Sequence, residues 1–404
     1  MSKPTLYKLF YSNPDKYETE YNNRFNDDDT IHIGIEIGKF NAFVCQSANI
    51  MNTIIAIERV DKKINDKCYH LPPIAVHQFA GRCLIDEIVK TNDIEGVHST
   101  KREIGEVLEN ISVNNKKNRF DGIVKKYLTL MNDSEISIKS SYDIRKIYDD
   151  IFLDEIKTDD IDNSPDGEIF RKNNVGIQGN DGKIIHNGIT GENNIISAME
   201  KSINFLNDDR YDVLLRLAIF HYLFGYIHPF YDGNGRTSRF ISSYFLSKNL
   251  NRLIGYRISY TIRKNIQKYY KAFTVCNHYN SHGDLTPFAE MFLAIVLESE
   301  KDLLDALNTR SDKLDYYRNL IAFLPGSEIE ETWRLYDLLI QAALFSNEGI
   351  SINDLCGYIE ISPATLRKKI KQLPENLYEV NTSHKKKYYS MNLEEMSKFV
   401  KKIN

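Results

Sequence analysis

Residues 211–240 read YDVLLRLAIFHYLFGYIHPFYDGNGRTSRF, an apolar run broken by proline and glycine that sets out the architecture. From Tyr211 to Ile227 nearly every position is apolar, so the segment predicts a helix buried on all sides in the middle of its domain. Pro229 ends it, and Asp232-Gly233-Asn234-Gly235 cannot continue a helix comfortably, which makes 228–235 a tight loop. Arg236-Thr237-Ser238-Arg239-Phe240 then opens a second helix running through Tyr244 and Leu246. The expected fold is mainly α, organised around a loop that a buried helix delivers into the interior.

The residue types in that loop point to phosphate chemistry. A glycine-rich turn at a helix N-terminus presents backbone N–H groups and the positive end of the helix dipole, a ready anion site. Gly233 and Gly235 permit close backbone approach, and Asn234 tolerates left-handed geometry. Arg236 and Arg239, three apart, share a face and offer two cations with bidentate reach toward phosphate oxygens. A polyphosphate brings Mg²⁺, and Asp232, a single carboxylate at the loop edge, suits an ion that shares its coordination with phosphate and water. His228 is then placed to take a proton from an attacking hydroxyl. Each feature alone is ordinary structure, but packing requires no such set within a dozen residues.

Working outward, the 404-residue chain has room for two or three domains. It is 42% hydrophobic and 27% charged, a globular composition. A formal net charge of −4 leaves no global footprint for nucleic acid, so any such role must be local. The five cysteines, Cys45, Cys68, Cys83, Cys276 and Cys356, are scattered and never in a CxxC pair, which argues against a disulfide framework and a zinc site. The N-terminus lacks a signal-peptide core and no run approaches the ~20 apolar residues of a spanning helix, so the expectation is a soluble cytoplasmic protein without membrane contact.

Residues 30–60 carry β signals, with Ile31, Ile33, Ile35 and Ile37 alternating with polar or small residues, so 1–70 reads as a small strand-bearing N-terminal element. From 71 to 324 the pattern is helical, with helices through much of 100–155 and from 193 to about 309. Within it, VGIQGNDGKII (175–185) places Asn180-Asp181-Gly182 between two short apolar runs, a strong hairpin signal. LPGSE (324–328) is the linker candidate. Residues 329–404 spell a winged helix-turn-helix: a helix, a short helix opening at Ser351, a helix opening at Ser362 with Pro363 at its first position, then two strands around a basic turn.

The loop resembles the signature of Fic-domain proteins, His-Pro-Phe-x-Asp/Glu-Gly-Asn-Gly-Arg-x-x-Arg. His228, Pro229, Phe230, Asp232, Gly233, Asn234, Gly235, Arg236 and Arg239 fill every fixed position. The resemblance covers roughly 70–300 and implies a helical Fic core with a β-hairpin flap. It also implies adenylylation, the transfer of AMP from ATP to a Tyr, Thr or Ser hydroxyl of a target protein with release of pyrophosphate. His228 would be the base, Asp232 the Mg²⁺ ligand, and Gly233, Asn234, Gly235, Arg236, Thr237 and Arg239 the phosphate-binding residues. Flap residues Val175, Gly176, Ile177 and Gln178 would align the target by strand addition. YYKAFTVCN resembles the family's nucleoside-side element, with Tyr270 near the base and Asn277 in the purine or ribose pocket.

TNDIEGVHST (91–100) resembles the family's inhibitory signature, with Thr91, Glu95 and Gly96 at the fixed places. The resemblance implies that Glu95 pairs with Arg239 and holds ATP in an unreactive pose. The same residues also fit capping boxes, Asn92 with Glu95 and Thr100 with Glu103. In the C-terminal module, Arg367, Lys368, Lys369 and Lys371 on the presumed recognition helix and His384, Lys385, Lys386 and Lys387 at the wing tip leave open contact with DNA or protein. Self-modification and homodimerisation are also left open. Two rival readings keep the loop: removal of AMP or transfer from another nucleotide donor, and a DNA-binding regulator whose core senses nucleotide.

Overall fold

The computed structural model describes residues 4–110, 119–132, 134–159, 161–178, 184–382 and 386–403. It divides into two compact units, Met1–Asp61 with Asp86–Lys301, and Lys62–Ile85 with Asp302–Asn404.

The first unit opens with α1 (Leu6–Ser12), α2 (Pro14–Phe25) and an antiparallel pair, β1 (Thr30–Ile37) and β2 (Phe40–Cys45). In β1 the isoleucines alternate inward, as their period of two requires. The strand signal expected through residue 60 stops at Cys45. Beyond it Ile50, Ile54 and Ile57 recur at helical spacing and are buried, and α3 (Ala48–His70) forms instead. The hairpin is stitched to a distant segment: Phe43 N–H donates to the Gly283 carbonyl, Leu285 N–H donates to the Phe43 carbonyl, and Arg24 pairs with the buried Asp284 at 3.1 Å.

Helices α4 (Pro73–Ile94), α5 (Lys101–Asn110), α6 (Asp121–Met131) and α7 (Ser141–Tyr148) follow. A π-helical turn over Asp149–Leu153 then leads into α8 (Asp154–Asp159). The hairpin is present as β3 (Gly176–Gln178) paired antiparallel with β4 (Ile184–Asn187); its expected turn residues, Asn180 to Gly182, lie outside the described residues. Next come α9 (Glu192–Leu206), α10 (Val213–Ile227) and α11 (Asn234–Asn249), then α12 (Ile258–Lys264), α13 (Ile266–Asn277) and α14 (Thr286–Ile321), the last extending past its expected end near 309. Helix α10 is buried almost all round, including Leu217, Phe220, Leu223 and Phe224. Its start is set by Asp212, whose carboxylate accepts from the Leu214 and Leu215 amides. It packs against α9 and α11, so the residue that leaves its C-terminus emerges deep in the unit.

In the second unit, α15 (Glu330–Phe345), β5 (Ile350–Ser351), α16 (Ile352–Ile359), α17 (Pro363–Gln372), β6 (Tyr378–Asn381), β7 (Tyr388–Met391) and α18 (Leu393–Ile403) build a three-stranded sheet of order β5-β7-β6 with helices around it. Ser351 and Ser362 cap α16 and α17, and Pro363 is at the first position. Lys369 turns away from the exposed face of α17 and pairs with Glu331 at 3.1 Å, unlike the exposed Arg367, Lys368 and Lys371. His384 and Lys385 lie outside the described residues. Among the described residues, no helix is long and apolar enough to cross a membrane.

Candidate active site

His228 is the first residue beyond α10 and adopts a left-handed conformation (φ 53°, ψ 65°) while its N–H still donates to the Phe224 carbonyl. The turn that follows is closed by one side chain. The Phe230 N–H donates to Asn234 Oδ1 at 2.9 Å, and Asn234 Nδ2 donates back to the Phe230 carbonyl at 2.8 Å. Asn234 therefore clamps the loop from inside the helix, and the left-handed position expected at Asn234 falls instead on Gly233 (φ 78°), where no Cβ opposes it. The helix starts at Asn234, two residues earlier than expected, because Thr237 supports that first turn. Its N–H and its hydroxyl both donate to the Gly233 carbonyl. Thr237 is fully buried in this role. The N-cap residue of α11 is Gly233, which has no side chain to cap it, so among the described residues its first-turn amides and positive end are turned to the loop.

The loop rests on α7, the π turn and α8. Tyr148 stacks on Phe230 with centroids 3.7 Å apart, Phe152 lies 4.4 Å beneath the Arg236 guanidinium, and Glu155 Oε1 accepts from Arg236 Nη1 at 2.7 Å. Arg236 is thus not a free cation on a face shared with Arg239: it points into the protein, 1% exposed, against a carboxylate that is 4% exposed. Asp232 sits on the outer side, 48% exposed, with Oδ2 3.8 Å from Arg236 Nη2 and Oδ1 accepting from the Gly233 N–H. Among the described residues no three His, Cys, Asp or Glu side chains gather as a metal site. Among the described residues the arginine nearest to Asp232, Arg236 at 3.8 Å, is itself paired with Glu155.

Arg239 points the other way, toward α4. Its Nε donates to Thr91 Oγ1 at 2.8 Å, and its Nη2 donates to the Thr91 carbonyl at 3.0 Å and to Glu95 Oε1 at 2.8 Å. Thr91 is buried in the last turns of α4 and Glu95 follows its final residue, where Gly96 (φ 73°) lets the chain turn off. Asn92 is therefore at a helix end and caps nothing at a start; Thr100 with Glu103 is the real capping box, opening α5. The Glu95 carboxylate lies directly over Gly235: a Cβ there would collide with Oε1. A carboxylate thus occupies the positive end of α11 beside Arg239. Tyr270, 36% exposed, is close enough for Glu95 to raise its phenol pKa, after burial. Asn277 ends α13 and accepts from the buried Tyr222 hydroxyl at 2.6 Å, which fixes its amide.

His228 is half-buried, and its imidazole pKa is lowered to about 4, chiefly by burial and then by Arg171; a backbone hydrogen bond at Gly225 acts in the opposite sense. At neutral pH it carries a lone pair able to accept a proton. The hairpin reaches this histidine through its base: Gly188 N–H donates to the Val175 carbonyl and Ile189 N–H to the Ile227 carbonyl, so Val175 and Gly176 stand beside the loop. Three residues of this neighbourhood, Glu155, Arg171 and Tyr148, were not singled out from the sequence, and none carries a local signal there.

Residues 139–246 match the Fic/DOC family model. The protein adenylyltransferase Fic of Drosophila erecta is 30% identical over 141 residues, 34% of this chain and 25% of the relative. A probable protein adenylyltransferase of Aquifex aeolicus is 27% identical over 176 residues, 43% of this chain and 49% of the relative. The chain therefore spans between a quarter and half of the length of these curated relatives. The crystal structure of a Fic family protein from Desulfovibrio desulfuricans G20 shares the fold with a TM-score of 0.52 at 18% identity, covering 86% of this chain and 97% of that one.

Proposed function

We propose that this chain, which carries a Fic domain over residues 139–246, is a protein adenylyltransferase restrained by its own Glu95. The reading is carried by His228, held neutral at the head of the loop that leads into the N-terminus of α11, with Asp232 in that loop and Arg239 in the first turns of the helix. ATP would lay its phosphates over Gly233, Asn234 and Gly235, with Arg239 toward the terminal phosphate. A Tyr, Thr or Ser hydroxyl of the target, aligned by the hairpin residues Val175 to Gln178, attacks the α-phosphorus. Its proton passes to His228, a new O–P bond forms, the bridge between the α- and β-phosphates breaks, and pyrophosphate leaves with that bonding pair. Asp232 would hold Mg²⁺, which neutralises phosphate charge when bound. Arg236, tied to Glu155, shapes the loop from below and leaves the carboxylate of Asp232 for the cation.

The restraint follows from charge. With Glu95 on Arg239 and over Gly235, the place of a terminal phosphate is filled by a carboxylate, which satisfies the cation and repels the phosphate. The test is AMP transfer from labelled ATP. Glu95→Gly is expected to raise incorporation and His228→Ala to abolish it in either background; equal rates in all variants would sink the mechanism.

For residues 329–404 the same proposal includes a winged helix-turn-helix module, supported by the strand order β5-β7-β6 and the capped helices α16 and α17. Arg367, Lys368 and Lys371 are its exposed cations on α17. Retention on duplex DNA that weakens steeply with salt would assign it a nucleic-acid partner; a protein partner would show no such slope.

A further inference from the structure

Arg171 is fully buried, and among the described residues every acceptor within hydrogen-bond reach of its guanidinium is a backbone carbonyl, with Asp166 acting on it only as a more distant charge. Nε donates to the His228 carbonyl at 2.8 Å, and Nη2 donates to Ile189 at 2.9 Å and, at 3.4 Å, to Ile227. Nη1 donates to the Asn173 carbonyl at 2.6 Å. Two of these acceptors are the last carbonyls of α10 and its cap, where a cation meets the negative end of the helix dipole. The other two flank the hairpin, Asn173 ahead of β3 and Ile189 after β4. The main chain adds a third tie, since Arg171 N–H donates to the Pro229 carbonyl. At the centre of this knot Gly188 has no side chain: a Cβ would press on the Arg171 guanidinium and stand 3.0 Å from His228 Cβ.

We infer that Arg171 is a positioning residue that joins the hairpin to the His228 backbone, so that the strand receiving a target and the group receiving its proton move as one body. The inference rests on the adenylyl-transfer reading of the site. A buried guanidinium with no carboxylate in contact among the described residues is costly, and a purely structural helix cap would need only a lysine or a water. The four-way fork across two elements needs the planar guanidinium. His228 also requires support, because a histidine with φ 53° does not keep that conformation by preference. The charge acts on the imidazole too. Of the groups facing His228, Arg171 and His186 disfavour its protonation and Asp232 favours it, and Arg171 ranks next after burial.

The experiment places Arg171→Lys and Arg171→Met in the Glu95→Gly background and reads three quantities. ATP affinity by calorimetry is expected within about twofold of the parent, because Arg171 bonds to none of the phosphate-loop residues 232–239. The kcat for AMP transfer is expected to fall at least about tenfold in both variants, since a misplaced base costs that much or more. The His228 imidazole pKa, read by NMR, is expected to rise by about one unit in Arg171→Met and to stay near the parent value in Arg171→Lys. Parent-like kcat in Arg171→Lys overturns the fork; an unmoved imidazole pKa in Arg171→Met overturns the electrostatic part; ATP affinity lost together with kcat reduces Arg171 to scaffold. If Arg171→Met loses its cooperative thermal transition, Arg171→Lys decides alone. The NMR titration needs no turnover, so a parent without AMP transfer would fail the functional reading while leaving this one readable.

Discussion

The two arginines of the loop are three residues apart and live in different worlds. Arg236 meets Glu155 with both partners almost wholly out of water and an aromatic ring beneath the guanidinium. Arg239 is as deeply buried, but its carboxylate, Glu95, is 27% exposed and hangs from the end of a helix. A pair sealed on both sides cannot open without leaving a charge stranded in a dry interior. A pair with one wet partner can, because water takes the carboxylate and a phosphate can take its place. On the proposed function, one pair is a fixture and the other a latch.

The sharpest way to break that contrast is to delete the fixture. Glu155→Ala, which strands the Arg236 charge, is expected to destabilise the protein by about 3–5 kcal/mol, measured by urea denaturation. Loss of under about 1 kcal/mol would mean that the pair is no fixture. The latch should behave in reverse: Glu95→Gly is expected to change stability little while raising AMP transfer about 5- to 150-fold, the span of a 1–3 kcal/mol coupling. A large stability loss without activation would make Glu95 a strut. A smaller effect is expected from Thr91→Ala, which removes the Oγ1 acceptor of Arg239 but leaves the carbonyl bond. It should cost about 1 kcal/mol and activate less than Glu95→Gly.

The mildest test is pH. His228 and His221 are held neutral, with imidazole values lowered to about 4 and about 3, burial first in both cases. The unfolded chain takes up protons below its ordinary value near 6.5, so these two groups withdraw stability as pH falls from there toward 4. The buried Glu87 and Glu300 carboxyls, raised to about 7 and about 9 by burial, act oppositely: the native state keeps protons that the unfolded chain releases, and their contribution fades as pH climbs from the ordinary carboxylate range to about 7 for Glu87 and about 9 for Glu300. The acid limb of kcat/KM in the Glu95→Gly protein is expected near pH 4. A limb at 6.5 would mean that His228 is solvated in the free enzyme.

Much of this site was legible because its chemistry is contiguous. Proline stops, glycine turns and a helix without a polar face located the loop, and the pairing of Glu95 with Arg239, implied by a contiguous stretch, is present as a contact. What escaped is what the fold brings from afar. Glu155 is 81 residues from Arg236, and Arg171 is 57 from His228, in a stretch with no periodicity to suggest burial. The opposed directions of Arg236 and Arg239 also needed their partners in view, because helical spacing says which side chains are neighbours and not what waits on either side. Helix α18 was a different omission. Met396 and Val400 are buried four residues apart on a strongly amphipathic helix, a periodicity that the sequence itself carries.

Helix α4 itself bears a gradient along one face. Glu87, Thr91 and Glu95 follow at four-residue intervals: the first is wholly buried with both oxygens on the Ser259 N–H, the second buried on Arg239, the third wet. Releasing Glu95 therefore does not require the helix to undock. On the proposed function, fraying of the single turn at Asn92–Gly96 would be enough to lift the carboxylate from Arg239 while Glu87 and Thr91 stay docked. Activation by this route would be graded and quickly reversible, with the helix acting less as a bolt than as a spring clipped firmly at one end.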